Sequence, residues 1–160
     1  MASVTIRKAT KDDADLVIEF IQALAVYEKL SGPDAEGVDR IRELGWGDRP
    51  RFEVLLAFVG DTPIGFALYF YQFSTFAARP TLYLEDLFVY PDFRGSGSGK
   101  ALLVALAREA VKSGCGRMDW MVLDWNEPAI KFYEGLGAEV MTDWELCRLS
   151  GPALNALGAG

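Results

Sequence analysis

Glu85 and Asp86 stand side by side in an otherwise apolar stretch, Tyr83-Leu84-Glu85-Asp86-Leu87-Phe88-Val89. Burying an unpaired carboxylate is costly, so at least one of the two must be exposed, paired or used. After a break at Pro91 comes Arg94-Gly95-Ser96-Gly97-Ser98-Gly99-Lys100, a glycine loop with basic ends. Gly95, Gly97 and Gly99 let backbone N–H groups approach a ligand without interference from a Cβ. The loop empties into Ala101 to Val111, which reads as a helix. Its unsatisfied amides and macrodipole attract anions. The chemistry these residues predict is a phosphate cradle placed beside a carboxylate.

Two better-known phosphate loops do not fit. A P-loop would need Gly at Arg94 and Ser or Thr at Ala101. The spacing of Gly95, Gly97 and Gly99 is not Gly-x-Gly-x-x-Gly either, so the dinucleotide fingerprint fails. What remains is Arg94-x-x-Gly97-x-Gly99 between a strand and a helix. On its own that pattern is also compatible with a flexible turn.

The chain has no histidine. Histidine general bases, Ser-His-Asp triads and His-rich zinc sites are therefore excluded. Cys115 and Cys147 lack metal-ligand spacing and read as free thiols, so no metal is expected. The net charge of −7 argues against a nucleic-acid partner, which usually leaves a basic footprint. Met1 to Lys8 has no signal-like apolar region, and no apolar run reaches the ~18 residues of a membrane span. These features predict a soluble cytoplasmic protein without a membrane partner. An apolar content of 51% over 160 residues suits one folded domain.

The elements that must position the loop follow from periodicity. Val4 to Lys8 alternates as a strand. Thr10 and Asp13 resemble a capping box ahead of a helix to about Glu28, with Leu16, Val17, Phe20, Ile21 and Leu24 on one stripe. A shorter helix spans Ala35 to Leu44, stopped by Gly45. Phe52 to Val59 and Ile64 to Phe73 form a hairpin, and Leu82 to Val89 is the next strand. Simple alternation puts Tyr83, Glu85, Leu87 and Val89 on one face, and Leu84, Asp86 and Phe88 on the other. After the loop and its helix, Met118 to Leu123 is a strand. Asn126 caps a helix that carries Pro128, Ala129, Phe132 and Tyr133 and stops at Gly137. Val140 to Leu149 is expected to be one or two final strand segments, and the tail after Gly151 is weakly patterned. This order predicts an α/β fold with a mixed sheet.

Here the chain resembles a known family. Arg94 to Lys100 resembles the coenzyme A pyrophosphate loop of the GNAT N-acetyltransferases. Tyr83 to Val89, Trp125-Asn126-Glu127-Pro128 with Phe132-Tyr133, and Val26-Tyr27-Glu28 are similar to the diamine (spermidine/spermine) and thialysine branch of that superfamily. The resemblance implies a single domain over residues 1–160, with a mostly antiparallel sheet flanked by helices. It implies an acetyl-CoA-dependent N-acetyltransferase, a small-molecule amine as substrate, and a homodimer.

It also implies roles. Leu87, Phe88 and Val89 would offer backbone groups to the pantetheine arm. Arg94, Gly95, Ser96, Gly97, Ser98, Gly99 and Lys100 would hold the pyrophosphate. Asn126, with Pro128 and Ala129 beside it, would contact the coenzyme. Tyr133 would be the general acid for the leaving thiolate, and Glu85 would assist deprotonation of the amine through water. Tyr27, Glu28, Glu85 and Asp86 would meet the amine. The chemistry needs such a set in any case, because an ammonium of pKa ~10 arrives protonated and cannot attack a thioester.

Each residue also has a plainer reading. Glu85 could be an edge acid paired with Arg79, Asp86 a structural acid, and Tyr133 a core aromatic. Ser74-Thr75-Phe76 stands where the vertebrate polyamine enzymes carry an acid and a tryptophan. That departure favours a shorter amine or a lysine-like amino acid, with Asp143 a candidate replacement acid. A non-catalytic coenzyme A module and an acetyltransferase of protein lysines or N-termini are the alternative functions.

Overall fold

A computed structural model of the chain describes residues 3–160. They fall into two compact units, one ending at Met121 and one beginning at Val122.

The first unit is built on a five-stranded sheet in the order β1-β2-β3-β4-β5. Its strands are β1 (Val4–Lys8), β2 (Glu53–Val59), β3 (Thr62–Ser74), β4 (Arg79–Val89) and β5 (Arg117–Trp120). The first three pairings are antiparallel, and β4 with β5 is parallel. A parallel neighbour needs a crossover, and α3 (Ser98–Lys112) supplies it.

The capping box at Thr10 forms as expected, with the Thr10 N–H donating to Asp13 Oδ2 at 2.7 Å. Arg7 grips the same carboxylate at 2.8 Å, which holds Asp13 well below the usual carboxylate range. A short 3-10 turn then leads into α1 (Ala14–Tyr27). The apolar stripe of α1, through Val17, Phe20 and Leu24, packs on Val54, Leu56, Phe66, Leu68 and Phe88 of the sheet. Phe20 stacks on Phe66 with ring centroids 5.4 Å apart. On the opposite face α3 buries Leu102, Leu103, Leu106 and Ala110. The Tyr71 hydroxyl, 3.1 Å from the Ser113 hydroxyl, marks β3 side chains that point toward α3.

Three expectations need correction. Gly45 does not stop α2, which runs Ala35–Trp46. Gly45 is buried against the ring of Phe52, where a side chain has no room, so it serves close packing rather than termination. The strand expected to Leu123 ends at Trp120. Residues 140–149 form no strand, because no ladder partner lies alongside them among the described residues; Val140, Trp144, Leu146 and Leu149 are exposed.

The second unit contains α4 (Glu127–Glu134) and α5 (Gly151–Gly158). The helix α5 replaces the unpatterned tail, with Pro152 in its first turn, where a missing N–H costs nothing. No helix of the described residues is long and apolar enough to cross a membrane.

Candidate active site

The register of β4 against β3 decides how the acid pair is presented. Asp86 pairs with Leu68, but Leu84 pairs with the next residue, Tyr69. Two steps on β4 answer one on β3, so Glu85 is the extra residue of a β-bulge. The bulge overturns the simple alternation. Asp86 and Phe88 share the α1 side of the sheet with Leu68 and Phe66. Leu84 and Leu82 face the α3 side, opposite Tyr69 and Tyr71. Glu85 is exposed, and Arg79 forms no ion pair with it among the described residues.

Asp86 is half-buried, and its carboxyl is pushed up to about 6. Burial is the main cause, followed by the charges of Glu85 and then Glu28. No Lys or Arg pairs with Asp86 or Glu28 among the described residues. Together Asp86 and Glu28 make an acidic recess. Glu28 caps the C-terminus of α1 and is half-buried; Tyr27 before it is half-exposed at 49%. The helix closes with Leu30 N–H donating to Ala25 C=O at 2.9 Å and with Lys29 left-handed at φ 58°. The Tyr27 ring meets Phe88 edge-on, with centroids 6.4 Å apart.

Arg94 reaches back to this end of α1. Its guanidinium lies 4.3 Å from the centroid of Tyr27 and 5.5 Å from that of Phe88. Its Nε–H donates to the Val89 carbonyl at 2.8 Å. Tyr27, Glu28, Asp86, Phe88 and Arg94 are thus gathered on one side of the sheet, while Glu85 sits on the bulge facing solvent.

Gly95 and Gly97 have φ of 75° and 88°, left-handed values that favour glycine, and open space faces both. Ser96 Oγ–H donates to the Phe93 carbonyl at 2.6 Å and meets the Ser98 hydroxyl at 2.8 Å. Ser98 is buried. Both hydroxyls are therefore spent on shaping the loop, and what it offers a ligand is main-chain amides at the start of α3, with Lys100 exposed beside them. The side chains of Phe88 and Val89 are in the core, and Leu87 is half-buried. Pairing with β5 stops at Leu84, so among the described residues the last residues of β4 have no strand on that side. A diphosphate joined to an extended, hydrogen-bonding arm fits this donor set.

A cleft of about 690 Å³ opens between β1 and α3, lined by Ile6, Lys8, Leu55, Val104 and Arg108 and reaching the glycine loop at Gly97 and Lys100. Neither Glu28 nor Asp86 lines it, so it is distinct from the acidic recess.

In the second unit Asn126 caps α4, its side-chain oxygen accepting the Ala129 N–H at 3.4 Å. Pro128 lies in the first turn. Tyr133 is half-buried on the same helix, and burial pushes its phenol up, so it keeps its proton through neutral pH. Both cysteines are free thiols.

The sequence reading missed the bulge and the Arg94–Tyr27 contact. The bulge had one signal. Without it, Leu84 and Asp86 would share a face, which sets a carboxylate beside a core leucine.

The profile of the Acetyltransferase (GNAT) family matches residues 18–138. A thialysine N-epsilon-acetyltransferase of Sus scrofa is 36% identical, with 98% of each chain covered. An L-ornithine N5-acetyltransferase of Arabidopsis thaliana is 50% identical over 58% of this chain and 41% of its own length. A solved integron cassette protein from the mobile metagenome of V. cholerae superposes with a TM-score of 0.81 at 29% identity, covering 100% of this chain and 99% of that one. A glycine loop opening α3, a bulged β4 whose pairing with β5 stops at Leu84, and a family profile over most of the chain agree: this chain belongs to the GNAT family of acetyltransferases.

Proposed function

We propose that this chain transfers acetyl from acetyl-CoA to the terminal amine of a lysine-like amino acid or a short diamine. The amine attacks directly in a ternary complex. The observation that carries this reading is the acidic recess of Glu28 and Asp86, without a basic partner, beside a loop of anion-seeking amides. A cationic amine and a diphosphate are the complementary charges. The thialysine and ornithine acetyltransferases among the relatives act on amines of this kind, which supports the choice. The turn after β3 carries no acid at Ser74-Thr75-Phe76, and Phe76 is fully exposed, so nothing there anchors the second cation of a longer polyamine.

The coenzyme supplies an activated thioester. Amides of Gly95 to Lys100 hold its diphosphate, and the free backbone groups of Leu87 to Val89 align its arm. The Val89 carbonyl is already taken by Arg94, so the other groups of this stretch serve the arm. Glu28 and Asp86 seat the ammonium, with Tyr27 flanking it. The solvent-facing Glu85 receives the amine's proton through water. The nitrogen then bonds to the acetyl carbon, the carbon–sulfur bond breaks, the departing thiolate takes the proton of Tyr133, and the second proton, shed by the new amide nitrogen, returns to the phenolate. Asn126, with Pro128 and Ala129, contacts the coenzyme. No histidine, metal or covalent enzyme intermediate is needed.

Both units belong to one catalytic domain in this reading, and the protein works as a cytoplasmic homodimer without nucleic-acid or membrane partners. The exposed Phe73 at the end of β3 and Phe76 just after it support self-association. Coenzyme A release measured across diamines, polyamines, lysine, thialysine, ornithine and lysine peptides tests the proposal. Turnover is expected with the lysine-like amines and short diamines. Coenzyme binding without thiol release from any of them would instead mark a binding module, and preference for peptides would mark a protein acetyltransferase.

A further inference from the structure

We infer that Arg94 is a positioning residue that couples coenzyme binding to the amine site, a role that rests on the function proposed above. The guanidinium is planar and can use its face and its edge at once. Its face lies over the rings of Tyr27 and Phe88, at 4.3 and 5.5 Å. Its Nε–H is committed to the Val89 carbonyl. No carboxylate pairs with it among the described residues, so the remaining edge donors are open to an anion held by the adjacent glycine amides. One side chain therefore serves the diphosphate with its edge and the end of α1 with its face.

The end of α1 needs such a tether. Val26, Tyr27 and Leu30 are exposed at 78%, 49% and 64%. The closing turn places Lys29 in a left-handed conformation that a side chain disfavours. Among the contacts of Tyr27, the edge of Phe88 and the guanidinium of Arg94 are what bind this end to the sheet. Glu28, which faces the charge of Asp86, is the next residue along. When a diphosphate immobilises Arg94, it also immobilises the ring of Tyr27 and with it the carboxylate that seats the amine. Linkage makes this reciprocal: whatever loosens Tyr27 must weaken the coenzyme, which Tyr27 need not touch.

The test is calorimetric titration of coenzyme A into the wild type, Tyr27→Leu, Tyr27→Phe, Arg94→Lys and the double variant Tyr27→Leu/Arg94→Lys. Amine kinetics are measured on each variant. Thermal unfolding identifies any variant that fails to fold, and Tyr27→Phe, which keeps the ring, provides the conservative check. Tyr27→Leu is expected to weaken coenzyme A about 3- to 10-fold, the scale of one cation–π contact, while Tyr27→Phe binds as the wild type does. Arg94→Lys is expected to raise the amine KM at least about 5-fold with a smaller change in kcat. The double variant is expected to lose no more coenzyme affinity than Arg94→Lys alone. Unchanged coenzyme affinity in Tyr27→Leu, or losses that multiply in the double variant, would overturn the coupling while leaving the function standing. Absence of coenzyme A binding to the wild type would overturn both.

Discussion

Asp86 on β4 and Glu28 at the end of α1 are two carboxylates on the same side of the sheet, and no basic side chain among the described residues pairs with either. Burial and the charges of Glu85 and Glu28 hold Asp86 at about 6. The folded protein therefore binds this proton more tightly than the unfolded chain, whose aspartates titrate near ~3.9. Stability falls as pH rises through that interval and is not regained above it. Asp86→Asn should remove the penalty and raise stability at pH 7 by roughly 1–3 kcal/mol, with the gain vanishing near pH 4. Denaturant unfolding of both proteins at the two pH values checks this. The same variant should lose most of its amine affinity. The wild-type amine KM should climb as pH falls below about 6, where Asp86 becomes neutral.

Tyr133 is the donor assigned to the leaving thiolate, and its phenol keeps its proton because burial disfavours the phenolate. Tyr133→Phe should lower kcat at least ~100-fold while coenzyme affinity stays within a factor of about two. Stopped-time assays of thiol release, with calorimetry on the same variant, separate the two effects. Unchanged turnover would remove Tyr133 from the mechanism.

Gly97 sits at φ 88° ahead of the first residue of α3, with open space before it. Gly97→Ala has room for its methyl group but not the backbone preference. It should cost about 1–2 kcal/mol of stability or reshape the loop. Coenzyme A affinity should fall at least about 10-fold, because the loop amides no longer converge. Gly114→Ala is the control. That residue has φ 71° at the far end of α3, so it carries similar strain without touching the loop.

Tyr69 is wholly buried, and among the described residues its hydroxyl makes no hydrogen bond of good geometry, with the Glu53 carboxylate as its polar neighbour. It stands opposite Glu53 in the sheet, and burial pushes its phenol up. A buried donor left unpaired costs free energy that phenylalanine does not. Tyr69→Phe should be neutral or stabilising by about 1 kcal/mol, with catalysis unaffected. A loss of stability would show that the hydroxyl is paired, with Glu53 or through an ordered water.

Much of the scaffold was legible because its signals are local. The Val4–Lys8 alternation, the Thr10–Asp13 capping box and the Asn126 cap each depend on residues a turn apart. What escaped the sequence depends on partners distant in the chain. The bulge at Glu85 exists only in the ladder with Leu68 and Tyr69, so strict alternation misplaced Leu84 and Asp86. The stack of Arg94 on Tyr27 joins a loop to the end of a distant helix. Residues 140–149 alternate as a strand does, yet a strand is realised only beside another, and among the described residues none lies there.

The central claim is that main-chain amides opening α3 hold the coenzyme's diphosphate. Amide correlation spectra of the isotope-labelled protein, recorded as coenzyme A is added, test it most directly. The account predicts that Gly95, Gly97 and Gly99 shift furthest, followed by residues 87–89 and the end of α1 at Tyr27 and Glu28. If those amides keep their positions while the largest shifts fall at Ile6, Lys8, Val104 and Arg108, far from the loop along the cleft between β1 and α3, the coenzyme binds elsewhere and the account is wrong.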